Sequence, residues 1–437
     1  MRDIALTLVI VCLLPLIFRR PHIGIMMWVW LSVMNPHRLT YGFAYSFPWA
    51  ALVAGITLYS LVISKQPKNL PMTPIVKVVI AFTMWMCVTT AAAFLPELSL
   101  VMLEKVAKIL LMTLVTIMLV RTKEHLHMLL YTMCGALAFY GIKGGLFTIR
   151  SGGGERVWGP PDSFIYGNNE VALAFVTIIP LMYYILRRQT NVWARWGILV
   201  TMLLCGLSAL GSYSRGALIG IAAMVVVLWL RSPGKLKAGL IMAIVIPFAI
   251  NFMPAKWTER MDTIKTYEED GSAMGRINAW IMAYNLAKDD PLTGGGFITW
   301  TPAVFAQYAP DPTDVHVAHS IYFQVMGEHG FVGLALYLLL AFLTWRRAGW
   351  IRRKSKQRED LAWAAELASM IQVSLVGFGV GGAFLSLAYF DIPYYLMAMV
   401  VILGRIVEEA IDGKPALAGT HAAAPRAPVR KPVPHYH

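Results

Sequence analysis

The chain has 437 residues, 57% hydrophobic and only 14% charged, with a mean hydropathy of +0.60. That balance excludes a soluble globular domain, because apolar runs long enough to cross about 30 Å of hydrocarbon recur along almost its whole length. The formal net charge of +14 would suit a nucleic-acid binder, but in so apolar a chain the basic residues of cytoplasmic loops account for it more economically.

In chain order, the first apolar run (4–18) lacks the small-residue end of a cleavage site, so it reads as a retained span and not as a signal peptide. A second run covers 23–36. Further runs, "IVKVVIAFTMWMCVTTAAAF" (75–94), "GALIGIAAMVVVLWL" (216–230) and "GLIMAIVIPFAINF" (239–252), have helical length and not the short alternation of a membrane barrel. Glu104, Lys105 and Lys108 share one helix, at a spacing that allows pairing between residues four apart. Cys12, Cys87, Cys134 and Cys205 all fall in apolar runs without a CxxC pair, as buried small hydrophobes do.

Basic clusters at 19–22, 65–68, 121–127, 187–195, 231–237 and 346–360 alternate with neutral or acidic segments. The stretch 254–316 carries nine Asp and Glu against five Lys and Arg. By the positive-inside rule, 150–170 and 254–316 lie on the outer side and the C-terminus inside. The expected fold is an all-α polytopic membrane protein of about twelve transmembrane helices with one large outer loop containing short helices. Residues 1–150 form its N-terminal helices, 151–411 its core, and the Pro/Ala-rich 412–437 a disordered cytoplasmic tail. No internal repeat is visible, which counts against a transporter.

The chemistry sits in the outer segments. "SGGGERVWGPPDSFIYGNNE" follows Arg150 and contains Arg156, and "LGSYSRGALIG" (210–220) sets Tyr213 and Arg215 between two apolar runs. An arginine at a bilayer boundary is costly unless it snorkels or pairs, so it reads either as an anchor or as an anion clamp. In the loop, Ile277, Trp280, Ile281 and Tyr284 recur at helical spacing, with Ser272 as N-cap and Arg276 in the first turn, where a cation opposes the dipole. Pro291 and the glycines Gly294, Gly295 and Gly296 end that helix. No Lys-Ser/Thr follows them, so they are not a nucleotide loop.

"DVHVAHSIYFQVMGEHGFVG" (314–333) then opens a long apolar helix with His316, His319, Glu328 and His329. His319 reads as a residue at the helix N-terminus, where an anion is favoured. Asp311, Asp314, His316 and His319 stand as an alternative set of metal ligands. Three or four outer arginines from separate segments fit a multiply charged anion. Outside a bacterial inner membrane, nucleotide donors are absent, so a lipid diphosphate fits best: the diphosphate for the arginines, its tail for grooves between helices, and a histidine to deprotonate an acceptor hydroxyl.

"SYSRG", "SAMGRINAW", "DDPLTGGGF" and "HSIYFQVMGEHGFVGL" resemble, in order and spacing, stretches of the O-antigen ligase family over roughly 150–400. These bacterial inner-membrane enzymes share a Wzy-C-type domain with O-antigen polymerases and protein O-oligosaccharyltransferases. The N-terminal part resembles O-glycosylation ligases associated with exosortase systems. The resemblance implies transfer of a glycan from undecaprenyl diphosphate to a sugar hydroxyl of lipid A–core on the periplasmic face, without metal, nucleotide or other cofactor and with inversion. The donor, the lipid A–core acceptor and membrane lipid are the expected partners, and nucleic acid is not. It implies His319 as general base and Arg215 and Arg276 as the arginines that bind the diphosphate. Arg156, Arg150, Tyr213, Ser320 and Gly295 are expected to contact substrate. Ser320 stands where many members carry asparagine. A related polymerase or protein oligosaccharyltransferase is the enzymatic alternative, and a lipid-linked glycan flippase the non-enzymatic one.

Overall fold

A computed structural model describes residues 1–65, 67–232, 234–262 and 271–413; the expected tail from 414 onward, and 263–270 of the outer loop, lie outside the described residues. Every helix and strand position among them is helical. The first part comprises α1 (Arg2–Arg19), α2 (Pro21–Met34), short α3 (Phe43–Ser46), α4 (Trp49–Ile63), α5 (Pro74–Ala91), α6 (Pro96–Leu119) and α7 (Lys123–Arg150). Then follow α8 (Asn168–Arg188), α9 (Val192–Leu210), α10 (Arg215–Arg231) and α11 (Lys235–Phe252). The loop elements α12 (Ala255–Asp262), α13 (Gly271–Asp289) and α14 (Pro302–Tyr308) precede α15 (Ile321–Ser355), α16 (Ala362–Gly382) and α17 (Asp391–Ile411).

The helices start where the sequence supplies a cap. Proline stands in the first turn of α2, α5, α6 and α14, where a missing N–H costs nothing. Thr122 Oγ1 accepts from His125 N–H at 3.2 Å, and Asn191 Oδ1 from Trp193 and Ala194 N–H at 2.9 and 3.1 Å. Residues 4–18 fall in α1 and 23–34 in α2, two separate helices joined only at Arg20.

Among the described residues, six helices, α5, α7, α8, α9, α15 and α16, are long and apolar enough to cross a membrane. The chain is therefore a multi-pass membrane protein on length and composition, with six such helices against the expected dozen. The remaining long helices are short of the length or carry charge: α2 and α4 have 14 and 15 residues, and α6 holds Glu97, Glu104, Lys105 and Lys108. Glu104 and Lys108 pair with each other, and Lys105 Nζ sits 3.8 Å from the Phe164 ring centroid. α8 and α17 are buried on most sides. α9 turns Cys205, Ser208 and Ala209 inward, against α7 at Gly141 and Gly144. Cys134 is buried too, but Cys12 and Cys87 lie on the outer surface of the bundle. The expectation of four buried thiols was wrong because an apolar residue gains nothing by leaving a lipid-facing surface.

Two packing features place the site. α10 meets α16 through small residues: a Cβ on Gly220 would lie 3.1 Å from the Gly377 carbonyl oxygen. Close backbone approach of this kind is how membrane helices bind without a hydrophobic drive, and it fixes the start of α10. α15 is broken at Gly330, whose φ of 67° and ψ of −171° are not helical. The break frees carbonyls that hydrocarbon cannot satisfy. The glycine loop supplies the donors: Gly295 N–H bonds the Gly327 carbonyl and Gly296 N–H the Glu328 carbonyl, each at 3.0 Å. Trp85 Nε1 bonds the His329 carbonyl at 3.1 Å, and Phe331 N–H bonds the Pro291 carbonyl at 2.9 Å.

This splice needs glycine. A Cβ on Gly330 would lie 2.4 Å from the Leu292 carbonyl oxygen, and the φ is left-handed. Gly330→Ala is expected to destabilise the protein by about 1–3 kcal/mol or more, read as a lowered unfolding midpoint in detergent. Gly135→Ala in α7, where the added methyl meets nothing within 4 Å, should leave the midpoint unchanged or raise it slightly. Equal midpoints for the two variants would refute the splice.

Candidate active site

A polar pocket of about 170 Å³ lies where α8, α10 and α15 begin. Asn168 and Asn169, the first residues of α8, line it, as does Arg215, the first residue of α10. Ser214 Oγ caps α10 by accepting Ala217 N–H at 3.1 Å. Arg215 is 8% exposed. His319 contributes from just before α15, whose N-cap is Ser320.

The loop segments are fastened to these helix starts. Val157 N–H bonds the Gly211 carbonyl at 3.0 Å, and Tyr213 Oη donates to the Gly153 carbonyl at 2.6 Å. The Arg156 guanidinium carbon thus sits 5.8 Å from the Tyr213 ring centroid, and both side chains line the pocket. Asn168 Nδ2 donates to the Ser212 carbonyl at 2.7 Å. Trp257 on α12 packs on Tyr213 and donates to the Leu210 carbonyl at 3.0 Å. That contact brings Arg260, one turn further along α12, into the wall. α13 supplies Ser272 and Arg276. It grips the strand of loop that ends in His319: Asn278 Nδ2 bonds the Asp311 and Asp314 carbonyls at 2.8 and 2.9 Å, and Trp280 Nε1 the Ala318 carbonyl at 2.7 Å.

Of the described residues lining this pocket, four are arginines and none is acidic. Three helix N-termini add their partial positive charge. The same field acts on His319. Burial first, then Arg276, then His316 push its imidazole down to about 4, so at neutral pH it is uncharged and can accept a proton. Both Tyr213 and His319 have left-handed backbones, with φ of 61° and 43°. Non-glycine residues hold such conformations only where the surroundings impose them, which is common at functional sites.

His319, Arg215, Arg276, Arg156 and Tyr213 thus meet in one pocket, and three other residues expected there do not. Arg150 is exposed at the end of α7. Ser320 is buried behind His319 as the helix cap. Gly295 belongs to the α15 splice, with its Cβ position against Phe94, so its role is backbone geometry. α13 is already helical at Gly271, so Ser272 is inside that helix and not its cap, and Arg276 is two residues further in than the sequence implied. His319 lies just outside the helix it was expected to open. Arg260, Asn168 and Asn169 were missed. Arg260 had one signal, its place three residues after a tryptophan on a short amphipathic helix.

The other titratable groups of the opening stretch go elsewhere. His316 Nε2 pairs with Asp314 at 2.7 Å. His329 is fully buried, its Nδ1 2.7 Å from Thr89 Oγ1. Among the described residues no three His, Cys, Asp or Glu come together as a metal-binding group, so the set Asp311, Asp314, His316 and His319 does not form one. A second cavity, apolar and about 310 Å³, runs between α15, α16 and α17. Ile321 and Tyr322, two and three residues after the pocket histidine, line it together with Tyr337, Leu340, Phe378 and Tyr394.

Fold and site together define a multi-pass membrane protein with a basic pocket beside a neutral histidine. Residues 200–338 match the Wzy_C family, described as O-antigen ligase, and residues 1–190 match DUF5935, a family of unknown function. Residues 200–338 are thus similar to the O-antigen ligase family. No curated protein matches it.

The pocket should bind polyvalent oxyanions. Inorganic diphosphate should bind the detergent-solubilised protein by calorimetry, more weakly at high salt. Arg215→Gln and Arg276→Gln should each weaken it about 10- to 100-fold, the worth of a charge-assisted hydrogen bond. Arg150→Gln should not. Equal weakening by all three would mean diffuse surface attraction and no pocket.

Proposed function

We propose that the chain is a glycan ligase of a bacterial inner membrane. It moves a glycan from an undecaprenyl-diphosphate-linked donor to a sugar hydroxyl of lipid A–core at the periplasmic face. The observation that carries this reading is the single pocket in which four arginines and three helix starts surround an uncharged histidine.

The donor diphosphate occupies the pocket. The pocket is small, about 170 Å³, and polar, which suits the diphosphate and leaves the sugar outside. The polyprenyl tail enters the apolar cavity that Ile321 and Tyr322 help to line. His319 takes the proton of the acceptor hydroxyl as its oxygen bonds to the anomeric carbon from the opposite face, inverting it. The electron pair of the broken C–O bond leaves with the diphosphate, whose charge rises from −2 to −3. Arg215 and Arg276, joined by Arg156 and Arg260, stabilise that added charge. They fill the role a divalent cation plays in many transferases, so transfer proceeds in excess EDTA. The anion also offsets Arg276, which restores basicity to His319 once the donor is bound.

Sidedness follows from charge. α8, α10 and α15 begin at the pocket and end at Arg187–Arg188, Arg231 and Arg346–Lys354. The positive-inside rule therefore makes the pocket end periplasmic, and about twelve crossings with the 254–316 loop outside fit that alternation. In a background without native cysteines, Lys288→Cys should react with an impermeant maleimide from outside, and Lys356→Cys only after the cells are opened. The reverse pattern would sink the whole assignment.

The histidines separate the chemistry. His319→Asn, which tolerates the left-handed backbone, should lose about 10²- to 10⁴-fold in transfer while still binding donor. His316→Ala and His329→Ala should stay within about tenfold, since neither lines the pocket and a base must lie within hydrogen-bond reach. A base works only when deprotonated, so activity persists above its pKa and is lost as pH falls through it. The acid limb of kcat/KM, which reports free enzyme, should therefore lie near pH 4 and not near the usual value for histidine. The limb in kcat should lie higher. Normal transfer by His319→Asn would remove the base.

A further inference from the structure

A histidine base is usually oriented by a third group bonded to its other ring nitrogen. Nδ1 of His319 is buried and has no hydrogen-bond partner among the described residues. The chain fixes this residue through its main chain instead. His319 N–H donates to Ser386 Oγ at 2.8 Å, and the left-handed φ of 43° is the conformation that this bond secures.

Ser386 lies in the turn between α16 and α17, and that turn is clamped along the first segment of α15. Ala388 N–H donates to Gln324 Oε1 at 3.3 Å, and Tyr389 Oη to Glu328 Oε2 at 2.6 Å. Glu328 is 2% exposed. Its second oxygen accepts from Trp300 Nε1 at 3.1 Å and Gln324 Nε2 at 3.4 Å. Gln324 and Glu328 are four residues apart and share a helix face, so the turn follows that face upward to His319. A carboxyl group this deep is expensive in a membrane protein and calls for a function. Its partners here are an indole, a phenol and an amide, which makes it the hub of a fully bonded polar network.

We propose that Ser386 is a positioning residue for His319, and that Glu328, with Tyr389 and Gln324, is the clamp that holds Ser386 in register. The inference rests on His319 being the base. Ser386 and Glu328 act through that residue and not on substrate.

The test uses the full-length protein in detergent, with kcat, donor KM and diphosphate binding measured for each variant. Ser386→Ala should lower kcat about 10- to 100-fold, since a misplacement of about 1 Å is worth that much. Donor KM and diphosphate binding should change less than about twofold, because the loss is confined to the transition state. Ser386→Thr keeps the hydroxyl and should recover kcat to within about threefold of the parent. Glu328→Gln keeps the shape but loses one acceptor, and should give a smaller fall in kcat. In a His319→Asn background, neither Ser386→Ala nor Glu328→Gln should reduce the residual rate further, because residues that act as one unit are not additive. An unchanged kcat in Ser386→Ala, or the same fold-loss with and without His319, would overturn the proposal. Normal transfer by His319→Asn itself would instead overturn the base assignment, which separates the two failures.

Discussion

Hydrocarbon offers no hydrogen bonds, so every backbone group inside the bundle must be satisfied by the protein. That constraint governs the break in α15. The carbonyls of Gly327, Glu328 and His329 leave the helical ladder at Gly330 and are taken up by Gly295, Gly296 and Trp85. With these three carbonyls paired, the first segment of α15 takes its own direction and carries His319 to the pocket. The same splice binds the 291–296 loop to the bundle, and that loop follows directly from α13, which bears Arg276. One backbone repair therefore relates two elements of the site that are 43 residues apart.

The pocket concentrates positive charge at a cost that its neighbours reduce. Arg156 lies over the Tyr213 ring, and Tyr213 is fixed by Gly153 and by the Trp257 cluster. The helix starts at Asn168, Arg215 and Ile321 add dipoles that cannot reorganise, so the field exists before any ligand arrives. Preorganisation of this kind favours a group whose charge grows during reaction over one whose charge is already complete.

Much of this was readable in the sequence, and the remainder failed for identifiable reasons. The membrane class, the alternation of basic clusters and the prominence of Arg215, Arg276 and His319 depend on composition and local order, which a linear reading preserves. The place of Gly295 in the α15 splice was not legible, because a glycine's work is a backbone approach and its partner at Gly327 is 32 residues away. Arg150 lies away from the pocket, because an expected place in an outer segment does not by itself bring a side chain to one. Arg260 was missed because its position depends on Trp257 packing against Tyr213, a tertiary contact. The number of crossings was the softest expectation, since α2 and α4 are apolar but short and α6 is long but charged. Ser386 offered no local sign, being one serine in a turn whose importance comes from the helix it lies along.

The left-handed backbone of His319 also limits how the position can drift over generations. A β-branched residue there would strain the fold itself, whatever it did to chemistry. Glycine, asparagine and aspartate tolerate such a φ, so a lineage that lost the imidazole through one of them would keep an intact membrane protein. On the chemistry proposed here, such descendants would still hold a diphosphate without transferring anything. Asn, Asp or Gly at this position, in a chain that keeps its four arginines, would therefore mark a relative that has become a carrier-binding protein.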